Sequence, residues 1–241
     1  MKPNLLFILK KYTNGLMHYI YPDICASCHV LLPEGMNQLC LPCEENLRYT
    51  YFEKYNETQA VDELFHGRVK VESTFSLLYF TKKSNTQHIV HEIKYLNNKR
   101  LAVLMGEKMG SKLRIKWEAN SMPDVLIPVP LHPKKLHQRG YNQSDLLAKG
   151  IEHVLKIPVE NNVLIRTTHT STQTKKGKYD RWGNVAEIFE VKNETSWKNK
   201  HLCIVDDVIT TGSTIESCVR VLHQSIEGVK VSVISLAMAK R

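Results

Sequence analysis

The chain has 241 residues, of which 42% are hydrophobic and 24% are charged. This length and composition permit a sizeable hydrophobic core and argue against an intrinsically disordered chain. The formal net charge is +9, and the surplus of Lys and Arg lies between residues 51 and 181. We therefore expect an anionic partner, either a polyphosphate or a nucleic acid.

Residues 1–22 are predicted to form an amphipathic helix. A short apolar run, Leu5 to Leu9, is closed by Lys10 and Lys11. Such a run is too short for the core of a secretory signal peptide, and no stretch approaches the roughly 20 apolar residues of a membrane-spanning helix. We expect a cytoplasmic chain whose first helix docks on the protein. Peripheral contact with the inner membrane is the alternative.

Residues 23–48 carry four of the six cysteines as two CxxC pairs, Cys25 with Cys28 and Cys40 with Cys43. Two such pairs can turn their thiolates towards one centre, which is the tetrahedral arrangement that Zn²⁺ favours. Disulfides and a redox CxxC are the alternatives, but nothing else indicates secretion and a redox motif normally occurs once. The spacing predicts a structural zinc ion, which folds a segment too small to form its own core.

The third domain is expected to span residues 49–241, with a hood at about 49–97. Residues 74–80 are rich in aromatic and branched side chains and predict a strand. Apolar residues at helical spacing predict two helices, one after Ser84 and one around residues 101–113.

From residue 125 onwards, apolar segments alternate between strand and helix patterns. Strands are expected at 125–129, 163–165, 188–191, 202–205 and 229–237, and helices at 146–155 and 214–222. This alternation predicts a parallel sheet covered by helices on both faces. Ligands of such sheets bind beyond the carboxyl ends of the strands.

The segment CIVDDVITTGSTI, residues 203–215, places two acids and then a hydroxyl-rich turn at that edge. Ser213 and Glu216 match a capping box, which predicts the start of a helix. The N-terminus of a helix favours phosphate, whereas the carboxylates of Asp206 and Asp207 suit sugar hydroxyls or Mg²⁺. The segment therefore predicts a phosphorylated sugar as the ligand, together with a metal ion.

This segment resembles the 5-phosphoribosyl-1-pyrophosphate (PRPP) motif of type I phosphoribosyltransferases. The resemblance implies that Asp206 and Asp207 contact the ribose hydroxyls during catalysis. It also implies that the 5′-phosphate is held by the loop residues Val208, Ile209, Thr210, Thr211, Gly212, Ser213 and Thr214.

The rest of the chain narrows the resemblance to the ComF family. Residues 128–133, 139–143 and 146–148 resemble that family's central segment. The next segment is matched by Gln173, Arg181, Asn184, Val185 and Phe189. The resemblance implies a type I phosphoribosyltransferase-like parallel sheet with a small N-terminal zinc ribbon. It further implies a role in the uptake of transforming DNA, with other DNA-uptake proteins as partners.

Two basic segments supply the positive charge that the PRPP motif lacks. The turn after residues 125–129 is expected to bind pyrophosphate, as the corresponding loop of type I enzymes does, through Pro130, Leu131, Lys134, Lys135 and Arg139. Residues 170–181 are expected to form a mobile loop that closes over the polyphosphate with Lys175, Lys176, Lys178 and Arg181. A surface turn with solvated lysines and a disordered basic loop are the alternatives.

Two functions fit these observations. The first is an enzyme that transfers phosphoribose from PRPP with Mg²⁺, whose acceptor the hood recognises; Lys94 and Tyr95 are candidates there, although Lys94 also fits a helix surface. The second is a non-catalytic protein that binds single-stranded DNA, with Tyr141, Tyr179 and Trp182 as stacking platforms.

Overall fold

A computed structural model describes residues 22–33, 35–36, 38–54, 60–117, 121–167 and 189–239. The chain divides into two units, Met1–Leu47 and Arg48–Arg241. Nearly all of the predicted N-terminal helix, and all of the predicted closing loop at 170–181, lie outside the described residues. Within the described ranges, no helix has both the length and the apolar character needed to cross a membrane.

The described residues of the first unit form one short helix, α1 (Leu41–Glu45), and an isolated antiparallel bridge between Ile24 and Leu31. Backbone hydrogen bonds hold the first CxxC turn, because the Cys25 N–H donates to the Val30 carbonyl at 2.8 Å. With so little regular structure, this unit depends on cross-links among its loops.

The elements of the second unit are, in chain order, α2 (Ala60–Phe65), β1 (Thr74–Phe80), α3 (Asn85–Tyr95), α4 (Lys99–Lys116), β2 (Val125–Pro128), α5 (Pro133–Arg139), α6 (Gln143–Leu155), β3 (Leu164–Arg166), β4 (Phe189–Val191), the 3-10 helix Glu194–Trp197, β5 (His201–Ile209), α7 (Ser213–Ser225) and β6 (Lys230–Ala239). Four strands form one sheet in the order β1-β6-β5-β2. Every neighbouring pair in this sheet is parallel. The predicted mixed α/β class with a parallel sheet is therefore confirmed.

Polar side chains cap three of the long helices, α3, α4 and α6. Ser84 caps α3, Asn98 caps α4 and Asn142 caps α6, each by accepting a hydrogen bond from a backbone N–H of the first turn. These caps satisfy donors that the helix itself leaves unpaired. Apolar residues at helical spacing follow each of these caps, so the sequence pattern was enough to predict the three helices.

Two features of the sheet differ from the prediction. The strand expected at 163–165 forms β3, which pairs antiparallel with β4 in a separate two-stranded sheet. A parallel connection needs a long crossover, usually a helix, and the sequence between these strands has no helical period. The strand expected at 202–205 is longer and continues to Ile209, because β6 pairs with β5 as far as Met238.

Candidate functional site

Asp206 and Asp207 lie inside β5, just beyond the end of its neighbour β2. The last pair between the two strands joins Pro128 to Val205. Successive side chains of a strand point to opposite faces, so the two carboxylates leave the sheet in opposite directions. The sheet therefore presents one acid on each face at the carboxyl end of β2.

The Asp206 carboxylate faces the beginning of α6. Its Oδ1 accepts hydrogen bonds from the Ser144 hydroxyl at 3.3 Å and from the Asp207 N–H at 2.9 Å. Burial and the neighbouring Asp207 carboxylate raise the pKa of Asp206 to about 7. Close to neutral pH, this side chain is therefore poised between its acid and its carboxylate.

The Asp207 carboxylate faces α3. Its Oδ1 lies 2.9 Å from the Lys94 ammonium nitrogen, and the Asp207 side chain is only 6% exposed. Its Oδ2 is buried, and no residue in the described ranges hydrogen-bonds to it. Lys94 therefore forms an ion pair with Asp207 and is not simply a solvated lysine on the helix surface, which was the alternative.

The loop after β5 runs through Thr210 and Thr211 into α7. Gly212 has φ +77°, a left-handed conformation that favours glycine, and α7 begins at Ser213. The predicted capping box is wrong, because the N-cap residue is Gly212, which has no side chain, and Glu216 pairs instead with Arg68 and Arg220.

Asp206 and residues 208–215 line a small open cavity of about 40 Å³. Thr210, Thr211 and Ser213 are exposed, and the Thr211 and Ser213 hydroxyls lie 3.0 Å apart. Hydroxyls and the first N–H groups of a helix thus meet in one concave loop, which is the arrangement that binds phosphate.

A second, larger cavity lies at the carboxyl-terminal ends of α3 and α5. Its volume is about 480 Å³, and its lining residues are Lys94, Tyr95, Asn97, Lys135, Gln138, Arg139 and Tyr141. The Arg139 guanidinium lies 5.3 Å from the centre of the Tyr95 ring. Because Lys94 reaches from this cavity to Asp207, the acid pair and the basic cavity are linked by one side chain.

The structure brings some of the predicted residues together and leaves others apart. Arg139 lines the basic cavity, whereas Lys134 is exposed and does not line it. Pro130 and Leu131 are half-buried and lie just after β2, separated from it by Val129. The structure does not describe Lys175, Lys176, Lys178, Tyr179, Arg181 and Trp182.

Tyr141 does not serve as the predicted stacking platform. Its side chain is buried, and its hydroxyl donates to the Ile93 carbonyl. Burial raises the pKa of Tyr141, which keeps the hydroxyl a donor. The exposed ring of this region is that of Tyr95, which is 64% exposed.

The four cysteines of the first unit form one cluster. Their sulfur atoms all lie within 4.8 Å of one another, and the Sγ atoms of Cys28 and Cys40 are 3.7 Å apart. Ligands at about 2.3 Å around a tetrahedral zinc ion lie about 3.8 Å apart. Burial alone would raise the pKa of the Cys25 thiol, but the backbone N–H groups around it lower that pKa to about 6. The cluster fits a four-thiolate zinc site.

Curated proteins with similar sequences confirm the resemblance to the ComF family, although no family profile matches this chain. Competence protein F of Haemophilus influenzae is 39% identical over 114 residues, or 46% of this chain and 49% of that protein. DNA utilization protein YhgH of Escherichia coli O157:H7 is 30% identical over 139 residues, or 56% of this chain and 59% of that protein. Competence protein ComFC of Bacillus subtilis is 32% identical over 112 residues, or 46% of this chain and 43% of that protein. The chain thus spans about half the length of the relatives that it matches.

Among solved structures, the glutamine PRPP amidotransferase of B. subtilis is 19% identical, with a TM-score of 0.40, over 60% of this chain and 30% of that chain. The purine phosphoribosyltransferase of Pyrococcus horikoshii is 17% identical, with a TM-score of 0.35, over 60% of this chain and 84% of that chain.

Proposed function

We propose that this chain binds PRPP with Mg²⁺ and transfers its phosphoribosyl group to an acceptor, in the handling of DNA taken up by the cell. The observation that carries the proposal is the junction of three features around β5. These are the acid pair, the phosphate-type loop at the start of α7, and the basic cavity that Lys94 links to Asp207. Together they match the sugar, the 5′-phosphate and the pyrophosphate of one ligand.

The acid pair is suited to a sugar with neighbouring hydroxyls. Hydroxyl groups donate to carboxylate oxygens, and the buried Oδ2 of Asp207 has no donor among the described residues. Ligand donors near Asp206 favour its ionised form, which counters the burial that raises its pKa. A ribose hydroxyl that reached this oxygen would satisfy a group that is costly to leave buried and unpaired.

The basic cavity is suited to the leaving group. When the bond between ribose C1 and pyrophosphate breaks, positive charge develops on the sugar and negative charge on the pyrophosphate. Lys94, Lys135 and Arg139 place cationic groups around one cavity, where they would stabilise that negative charge. Such a reaction needs positioning and electrostatic stabilisation more than a protein nucleophile.

The carboxylates also fit a magnesium ion, because hard oxygen ligands are those that Mg²⁺ prefers. When bound with PRPP, Mg²⁺ would supply further neutralisation of the pyrophosphate charge. The contribution of the chain itself is to orient the ribose through Asp206 and Asp207.

The association with DNA uptake comes from the relatives. Proteins named for competence and for DNA utilization share 29–39% identity with this chain. We propose that this chain acts in the same process, with other DNA-uptake proteins as partners.

Thermal unfolding tests PRPP binding. PRPP with Mg²⁺ should raise the melting temperature of the full chain, because a ligand that binds only the folded state stabilises it. The double variant Asp206→Ala/Asp207→Ala should lose this rise. A wild-type melting curve that PRPP leaves unchanged would rule out the proposal.

A non-catalytic protein that binds single-stranded DNA is the second candidate. It is favoured by the exposed Tyr95 ring beside Arg139 in a basic cavity, because bases stack on such rings while cations hold the phosphates. Binding of an oligonucleotide should then weaken steeply with added salt and with Lys135→Glu/Arg139→Glu. Binding that is insensitive to salt would exclude this candidate.

A further inference from the structure

The phosphate-type loop, residues 210–214, is braced from behind by a segment outside the PRPP motif. Arg68 Nη1 donates to the Leu64 carbonyl at 3.0 Å and to the Thr211 carbonyl at 3.1 Å. The other terminal nitrogen of Arg68 pairs with the Glu216 carboxylate. One guanidinium thus joins the end of α2, the loop and the first turn of α7.

The same segment closes the back of the loop by packing. A methyl group at Gly212 would lie 3.1 Å from Cε1 of Phe65, a side chain that is fully buried. Gly212 combines this close approach with a positive φ, and both features favour glycine at this position. The loop is therefore fixed by Phe65 on one side and by Arg68 at its Thr211 carbonyl.

The charge of Glu216 makes Arg68 relevant to anion binding. Glu216 lies in the first turn of α7, close to the helix N-terminus where the proposed phosphate binds. A free carboxylate there would repel a phosphate dianion. Arg68 and Arg220 both pair with this carboxylate, Arg220 at 2.8 Å from the following turn of the same helix. Either arginine lowers the repulsion, but it is Arg68 that also holds a loop carbonyl.

We infer that Arg68 is a positioning residue for the 5′-phosphate half of the ligand site. It turns the Thr211 carbonyl away from the cavity, so that the N–H groups and hydroxyls of the loop face the phosphate. The inference rests on the proposed function, and it assigns to the predicted hood segment a role in phosphate binding that the sequence motif does not contain.

Two probes separate this role from a general structural one. Ribose 5-phosphate reports on the loop, and inorganic pyrophosphate reports on the basic cavity, which Arg68 does not line. Equilibrium affinities for both would be measured by calorimetry with the full chain in the presence of Mg²⁺. The variants are Arg68→Ala, Arg68→Lys and the matched control Arg220→Ala, which loses an ion pair with the same glutamate.

Arg68→Ala should weaken ribose 5-phosphate binding roughly tenfold, the equivalent of one charge-assisted hydrogen bond, and leave pyrophosphate binding within about twofold. Arg68→Lys should recover only part of the loss, because lysine lacks the planar fork that reaches both a carbonyl and a carboxylate. Arg220→Ala should weaken ribose 5-phosphate binding much less than Arg68→Ala does, because the contact with the Thr211 carbonyl stays in place, and it should bind pyrophosphate like the wild type.

Unchanged ribose 5-phosphate binding by Arg68→Ala would overturn the inference, and so would an equal loss for both probes or an equal loss in Arg220→Ala. If the wild-type chain binds neither probe, it is the proposed function itself that fails, and the inference falls with it.

Discussion

The fold favours the protonated form of Asp206, whereas the proposed ligand favours its carboxylate. Burial raises the pKa of its carboxyl to about 7, although the hydrogen bond from the Ser144 hydroxyl favours the carboxylate. An unfolded aspartate has a pKa of about 3.9. The folded state therefore holds the proton more tightly, and this group makes stability fall as the pH rises from about 4 to about 7.

Asp206→Asn should remove the fall in stability that Asp206 causes as the pH rises. We expect its melting temperature without ligand to exceed that of the wild type by more at about pH 8 than at about pH 5, because the amide stays neutral throughout. The stabilisation by PRPP should vanish in the same variant. Glu227→Gln is the control, since Glu227 is an exposed acid paired with Lys198. A gap between Asp206→Asn and wild type that is constant with pH would contradict this account.

The sequence indicated candidate site residues only where they are contiguous. Asp206, Asp207 and Gly212 stand within one segment whose order matches its chemistry. Lys94 and Arg68 have no local signature, since each meets that segment only through the tertiary fold. Lys94 looked equally like a surface lysine because helical spacing shows which residues share a face but not what that face meets.

At the scale of elements, the beginning of α6 is fixed by its close crossing with α4. A methyl group at Gly106 would lie 2.2 Å from the Leu147 carbonyl oxygen, and one at Gly150 would lie 2.2 Å from the Val103 carbonyl oxygen. The two helix backbones therefore touch. This crossing holds the helix that presents Ser144 to Asp206.

Gly106→Ala should destabilise the chain despite the better helix propensity of alanine. The clash is with backbone, which cannot swing aside, so we expect a loss of about 2–4 kcal/mol in the free energy of unfolding. Chemical denaturation measures it. The exposed Ser111→Ala on the same helix should stay within about 0.5 kcal/mol. A Gly106→Ala variant as stable as the wild type would show that the helices can separate at little cost.

The cysteine cluster makes a separate prediction for the first unit. Elemental analysis should find about one zinc ion per chain, and Cys43→Ser should lose most of it, because a four-thiolate site is incomplete with three thiolates. Limited proteolysis should then cut within residues 23–47. Cys218→Ala, a buried position in α7, should keep the zinc. Wild-type protein purified without chelator and free of zinc would contradict the assignment.

The strand expected at residues 163–165 was assigned to the wrong sheet because its sequence does not indicate its partner. Apolar residues at helical spacing identified α3, α4 and α6, because this signal is local. The sheet to which residues 163–165 belong depends on how the chain returns, and a three-residue strand carries no sign of its partner. Strand length was underestimated for a related reason, since β6 extends β5 past the acids that mark its sequence boundary.

At the scale of the whole molecule, the sequence predicted the mixed α/β class and the position of the acids at a sheet edge. It also placed the basic surplus in the middle of the chain, where α3 and α5 supply Lys94, Lys135 and Arg139 to one cavity. It could not predict that Lys94 would connect this cavity to Asp207, because that link requires the packing of α3 against the sheet. That connection makes the acid pair and the basic cavity parts of one site.

The central claim is that one ligand spans the phosphate-type loop, the acid pair and the basic cavity. Calorimetric titration of the full chain with PRPP, ribose 5-phosphate and pyrophosphate, each with Mg²⁺, tests it most directly. The account predicts one PRPP per chain, bound more tightly than either fragment, because the second contact is made without a second loss of translational freedom. PRPP that binds no better than its stronger fragment, or does not bind, would contradict it.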